Sequence, residues 1–207
     1  MSEEYKTVKE FNCDEYIVKR SKFIGYAKPC KTVDEANEFI AEIKSKHWDA
    51  THNVYAYILR DGGVKRYSDD GEPQGTAGVP TLDVLEKENL YDVAVVVTRY
   101  FGGILLGGGG LVRAYSHSAK IAVTSAKIIT MALCSNINIP CDYTFYGKLN
   151  AFLEHEECNI LNTEFTDNVL LTVCVKKENC DNFIAKIVEL SNGKVDCTVI
   201  SEEFCEF

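Results

Sequence analysis

The stretch VAVVVTRYFGGILLGGGGLVRAYSHSAKIAVTSA, residues 93–126, decides how this chain is read. Its opening, Val93 to Val97, is an unbroken apolar run rich in β-branched residues, the pattern of a strand buried on both faces. Its end, from Leu111, has Leu111, Tyr115, Ala119, Ala122, Val123 and Ala126 on or near one stripe at helical spacing. Between them stand Gly102, Gly103 and the tract Gly107 to Gly110. Glycine inside an element costs roughly 0.5–1 kcal/mol relative to alanine, so six in one connection need a reason. One reason is tight packing of strand on helix. The other is an anion site, since bare amides and the positive end of a helix dipole point the same way. Arg99 and Arg113 flank the turn and add positive charge. A Walker A loop is excluded, because Gly108 and Gly109 occupy the positions that need Lys and then Ser or Thr.

With 207 residues, 46% hydrophobic and 26% charged, the chain has the make-up of a globular protein of one or two domains. No apolar run reaches the roughly 18 residues of a membrane helix, and the start, MSEEYKTVKEF, has no apolar centre of a signal peptide. A cytoplasmic protein without membrane partners is expected. The nine cysteines show no CxxC pair and no zinc-ligand spacing with histidine, so they are expected to act as small buried hydrophobes. The net charge of −9 is uneven. Residues 1–134 hold 17 Lys+Arg against 18 Asp+Glu, whereas residues 135–207 hold 5 against 13. Charge-driven nucleic-acid binding is therefore not expected of the second part.

Outward from the central stretch, Tyr5–Phe11, Tyr16–Arg20 and Ser21–Ala27 alternate as strands. Thr32 and Glu35 form a capping box for a helix ending near Lys46 or His47. Asn53–Leu59 and Val64–Tyr67 make a hairpin. The loop Ser68–Gly78 then collects Asp69, Asp70, Glu72 and Thr76 among three glycines. Its carboxylates either make local turns or offer oxygen ligands to Mg²⁺. His52, just ahead of a strand, is placed to act against that loop. A helix follows from Pro80. Beyond Cys134 the order is βαββαβ: a strand at Ser135–Ile139, a helix at Phe145–Glu156, a hairpin at Asn159–Phe165 and Val169–Val175, a helix at Asn179–Leu190 and a strand at Lys194–Ser201. That is the split-βαβ, ferredoxin-like plan, and no site chemistry stands out in it.

Ser68-Asp-Asp-Gly-Glu-Pro-Gln-Gly-Thr-Ala-Gly78, Arg99-Tyr-Phe-Gly-Gly103 and Leu106-Gly-Gly-Gly-Gly-Leu-Val-Arg-Ala-Tyr115 together resemble the signature of the YigZ/IMPACT family. Arg20-Ser-Lys-Phe-Ile24 and His52-Asn-Val-Tyr-Ala56 resemble its weaker flanking motifs. The resemblance implies an α+β chain: an N-terminal domain like ribosomal protein S5 domain 2 over 1–134, and a ferredoxin-like domain like the C-terminal part of elongation factor G over 135–207. One departure is visible, since the family usually has Thr or Ser where Gly108 stands. Eukaryotic relatives regulate translation initiation under amino-acid starvation, which implies a translation-related role here.

Two readings of the site follow. In the preferred one the chain is a binding protein for RNA, the ribosome or a translation-related protein. Arg99, Gly102, Gly103, Gly107, Gly108, Gly109, Gly110, Arg113 and Thr76 then seat an anion, and no cofactor is needed. In the other it is a small enzyme acting on a phosphorylated or anionic metabolite. Asp69, Asp70 and Glu72 would hold Mg²⁺, with His52, Asp70 and Glu72 as catalytic candidates.

Overall fold

The computed structural model describes residues 4–207. They fall into two compact units, divided between Thr130 and Met131, with Glu4 grouped with the second. Both units mix helix and sheet, so the chain is α+β as the sequence implies.

The first unit contains β1 (Glu4–Val8), β2 (Asn12–Val18), β3 (Ser21–Pro29), α1 (Val33–Lys46), β4 (His52–Ile58), β5 (Lys65–Ser68), α2 (Gly78–Lys87), β6 (Val93–Tyr100) and α3 (Gly108–Ser125). Its sheet runs β2-β3-β6-β4-β5, antiparallel at every step. The apolar run opening the central stretch is thus the middle strand, buried from Val93 to Arg99. Successive side chains of a strand point to opposite faces, and β6 fills both. Val93, Val95 and Val97 pack with Val84 and Leu85 of α2 and Leu111, Ala114 and Tyr115 of α3. Ala94 and Val96 pack with Ala36, Phe39, Ile40 and Ile43 of α1. Burying each large side chain of this kind contributes about 1.5–3 kcal/mol, which is why this strand tolerates no polar residue until Thr98. Because β3 and β4 are both antiparallel to β6, the β3-α1-β4 connection is itself a split βαβ.

Local signals behave as their chemistry demands. The Thr32 side chain accepts a hydrogen bond from the Glu35 amide and caps α1. Glu35 returns a carboxylate to the Lys31 amide, one residue before the cap. The helix stops at His47, and the next residue, Trp48, is 83% exposed. β3 crosses α3 at Gly25, where a Cβ would lie 2.3 Å from the Ser118 carbonyl oxygen. The helix expected from Leu111 begins at Gly108 instead. A first turn of glycine is a poor helix former on its own, and the burial of Leu111, Ala114 and Tyr115 one turn on holds it helical.

The second unit carries β7 (Ile128–Cys141), α4 (Tyr143–Leu153), β8 (Cys158–Phe165), β9 (Val169–Lys176), α5 (Cys180–Leu190) and β10 (Thr198–Glu206). β7 runs through the division and is longer than the sequence suggests. The strands β10-β7-β9-β8, antiparallel at each step, form the ferredoxin-like arrangement, and β1 joins the same sheet along the long β7. Ile137, Ile139, Leu171, Val173 and Val175 of the sheet pack on Leu149, Phe183 and Ile187 of the helices. The last strand starts at Thr198 rather than Lys194. Val195 is drawn into the core and its amide bonds to Ser191 Oγ, so the chain joins β7 only afterwards. No helix among the described residues is long and apolar enough to cross a membrane. All nine cysteines are free thiols, and five of them are buried.

Gly25→Ala is expected to lose about 1–3 kcal/mol of stability through overpacking. Gly147→Ala, inside α4 with open space at its Cβ, is expected to gain up to about 1 kcal/mol. Urea denaturation of the two variants reads both signs.

Candidate functional site

The loop between β5 and α2 sends one carboxylate inward. Glu72 Oε1 accepts a hydrogen bond from Arg99 Nη1 at 2.5 Å and another from the Tyr115 hydroxyl at 2.8 Å. The Glu72 and Arg99 side chains are 2% and 6% exposed, and Tyr115 is fully buried. Burial first, and the Glu72 charge second, push the Tyr115 phenol far above the ordinary tyrosine range, so it stays a donor. The guanidinium carbon of Arg99 lies 5.5 Å from the Phe23 ring centroid and 5.4 Å from that of Phe101. Its Nε is buried without a partner among the described residues. Arg99 is therefore an internal counter-ion and stands apart from the residues proposed to meet an anion. Tyr115, read from the sequence only as part of the buried stripe, completes the cluster.

The other two carboxylates of the loop point elsewhere. Asp69 accepts hydrogen bonds from the amides of Gly75, Ala77 and Gly78, which places its charge on the N-terminus of α2. Asp70 is bound by Lys44 Nζ at 2.6 Å and by the Asn53 amide at 2.7 Å. His52 Nδ1 lies 2.7 Å from the Asp70 carbonyl oxygen. A carbonyl only accepts, so that nitrogen carries the proton and Nε2 faces Glu72 Oε2 at 3.9 Å. His52, Asp70 and Glu72 do come together, but around the protein's own bonds. Asp69, Asp70 and Glu72 do not gather their oxygens into one cation shell.

The glycines divide by role. Gly102 is a packing residue: a Cβ there would lie 2.0 Å from the Arg20 backbone, and its amide donates to Ser21 Oγ. Gly103 and Gly107 take φ of +81° and +72°, values that suit glycine. Gly108, Gly109 and Gly110 form the first turn of α3, where amides have no partner four residues back. No side chain caps this terminus, and Gly107 to Gly109 are exposed. Two of the candidate side chains border it. Arg113 Nη1 is 3.8 Å from a Cβ built on Gly109, and Thr76 Cγ2 is 3.9 Å from one built on Gly108. The Thr76 hydroxyl proton goes to the Pro73 carbonyl. Arg113 is exposed and has no ion-pair partner among the described residues.

A second polar group in this unit had no signal in the sequence. The His47 ring shares hydrogen bonds with the Tyr26 hydroxyl through Nε2 at 2.6 Å and the Tyr100 hydroxyl through Nδ1 at 2.9 Å. Tyr100 in turn donates to Asp49. Burial, with Lys46 second, holds the His47 pKa below its ordinary value, and burial raises that of Tyr26 to about 12. The three rings come from three different elements, so only the fold reveals the group.

A two-unit α+β chain with a glycine-opened helix beside a buried Glu–Arg–Tyr cluster is a recognisable class. Residues 19–123 match the model of the Impact N-terminal domain, and residues 139–194 match that of a domain of unknown function, DUF1949. The chain belongs to the IMPACT family. It is 40% identical to the IMPACT family member YvyE of Bacillus subtilis, over 95% of this chain and 91% of the relative. It is 32% identical to YigZ of Escherichia coli, over 89% and 92%. With Protein IMPACT of Rattus norvegicus it shares 36% identity over 43% of this chain and 29% of that protein. A crystal structure of a hypothetical protein superposes with a TM-score of 0.62 at 30% identity, covering 98% of this chain and 100% of that one.

Arg99→Ala leaves the buried Glu72 carboxylate without its counter-charge, with only the Tyr115 hydroxyl on it, and should cost about 3–5 kcal/mol in urea denaturation. For His47, the unfolded chain binds the proton more readily than the folded one. Stability should therefore fall as pH drops below about 6.5, the ordinary histidine value. His47→Gln should remove that part of the slope when the denaturation midpoint is followed from pH 8 to pH 5.

Proposed function

We propose that this chain is a translation-associated binding protein that engages the phosphate backbone of structured RNA, on the ribosome or free. The observation that supports it best is the N-terminus of α3: exposed and uncapped, opened by three glycines, with Arg113 and Thr76 at its border. Backbone amides at a helix start bind phosphate without any net positive charge on the protein. This reconciles such binding with a chain of net charge −9. Family membership supports the translation link. The second unit contributes no comparable surface, since residues 135–207 carry most of the negative charge and repel a polyanion.

The carboxylates of the 68–78 loop fit this reading as scaffold. Asp69 holds the start of α2, Asp70 ties the loop to Lys44 and Asn53, and Glu72 anchors it to Arg99 and Tyr115. Through these bonds Thr76 is held against the first turn of α3.

The test is co-sedimentation with ribosomes and gel shift of structured RNA across a salt series. Binding is expected to weaken linearly in log salt, with a slope of about −0.9 per phosphate neutralised. Arg113→Ala should reduce that slope by about 1. Gly108→Asp places a carboxylate where the dipole favours it, so stability should hold or rise by about 0.3–1 kcal/mol while binding is lost. No co-sedimentation and no shift at low salt would rule the proposal out.

A further inference from the structure

We propose that Cys134, Cys174 and Cys205 form a three-sulfur site for a soft monovalent metal ion, Cu(I). They come from three neighbouring strands of the second unit: Cys134 from β7, Cys174 from β9 and Cys205 from β10. Their sulfurs all lie within 4.8 Å of one another, with Cys174 Sγ 3.8 Å from Cys205 Sγ. Among the described residues this is the one group of three or more His, Cys, Asp or Glu side chains whose ligand atoms are that close. The residues are separated by 40 and 31 positions in the chain, which is why spacing alone gave no hint of it.

The geometry fits a metal–thiolate shell. At a metal–sulfur bond of about 2.3 Å, three sulfurs around one ion stand about 3.8–4 Å apart. The observed separations need contraction of less than about 1 Å to meet that. Thiolate ligands select Cu(I), Zn²⁺ or iron–sulfur clusters. Structural zinc is almost always four-coordinate, and no fourth Cys, His, Asp or Glu joins this group among the described residues. Three sulfurs complete a trigonal shell for Cu(I), which singles it out.

The surroundings suit a dry, soft site. Cys134 and Cys174 are 0% and 1% exposed, whereas Cys205 is partly open and gives a way in. Phe207 packs against the cluster, and the Lys176 ammonium lies 5.5 Å from the centroid of its ring. Lys176 stands opposite Cys134 in the ladder, and its ammonium is paired with the Glu4 carboxylate at 3.0 Å. Asn136, opposite Cys174, keeps a buried Oδ1 with no partner among the described residues. The amide nitrogen of Asn136 donates to Ser201 Oγ and Glu203 Oε1, which leaves its oxygen as the one free acceptor of that side chain. On binding, each thiol that becomes a ligand releases its proton to solvent and Cu(I) takes its place, with no change of oxidation state.

The experiment is anaerobic titration of the reduced full chain with Cu(I) against a chromophoric Cu(I) chelator. One equivalent is expected to resist the chelator. The Cys134→Ala, Cys174→Ala and Cys205→Ala variants should each lose more than about 100-fold in affinity, the upper range seen when even indirect support of a metal site is removed. Cys30→Ala, a buried cysteine of the first unit, should retain the wild-type value. X-ray absorption of the wild-type 1:1 complex removes any dependence on how the variants fold, and three sulfurs at about 2.3 Å are expected. Failure to compete with the chelator, a shell of two sulfurs or of nitrogen and oxygen, or Zn²⁺ held by the same cysteines in preference to Cu(I) would each overturn the assignment.

Discussion

A buried ion pair sets the terms for the first unit. Arg99 comes from the central strand, Glu72 from the loop before α2, and Tyr115 from the second turn of α3; one carboxylate oxygen receives both donors. Taking two charges out of water is costly, and their attraction repays it only with good geometry and satisfied neighbours. The pair therefore specifies an arrangement more than it stabilises one. With Glu72 fixed, the loop cannot drift from α3. The helix that presents bare amides to solvent is thus held in place by a contact that no solvent reaches.

Much of this fold is legible in the residues because their local and global demands agree. The run Val93–Val97 reads as two-faced burial, and β6 is indeed packed by helices on both sides. The Thr32 cap, the hairpin of β8 and β9 and the βαββαβ order of the second unit follow from side-chain chemistry and spacing alone. What stayed hidden depended on distance in space. Leu111 looks like the start of α3 because glycine is a poor helix former, yet the tertiary burial of Ala114 and Tyr115 carries the helix back to Gly108. Lys194 looks like strand because Val195 and Val199 share a parity, yet Val195 is claimed by the core of its own domain.

The site shows the same split more sharply. The sequence singles out residues that the fold brings near one another: Glu72 and Thr76 in the loop before α2, His52 at the start of β4 and Arg99 near the end of β6. It cannot say which charges face inward. Arg99 and Arg113 look equivalent when written out, flanking one glycine tract. In the fold one is sealed under Phe101 and Phe23 while the other stands in solvent beside Gly109. Likewise six glycines that look alike divide into one that admits a neighbouring backbone, two that turn the chain, and three that open a helix. The residue type announces a constraint; only contacts reveal its kind.

One surface feature bears on how the molecule can be watched. Trp48 is the single tryptophan of the chain and is already 83% in water at the end of α1. Its indole should fluoresce almost as an unfolded chain's does, so emission wavelength will be nearly blind to the loss of either core. The same nakedness makes it a sensitive lamp for anything that docks beside the His47 rings, because a partner drying that corner would shift the colour without unfolding a residue.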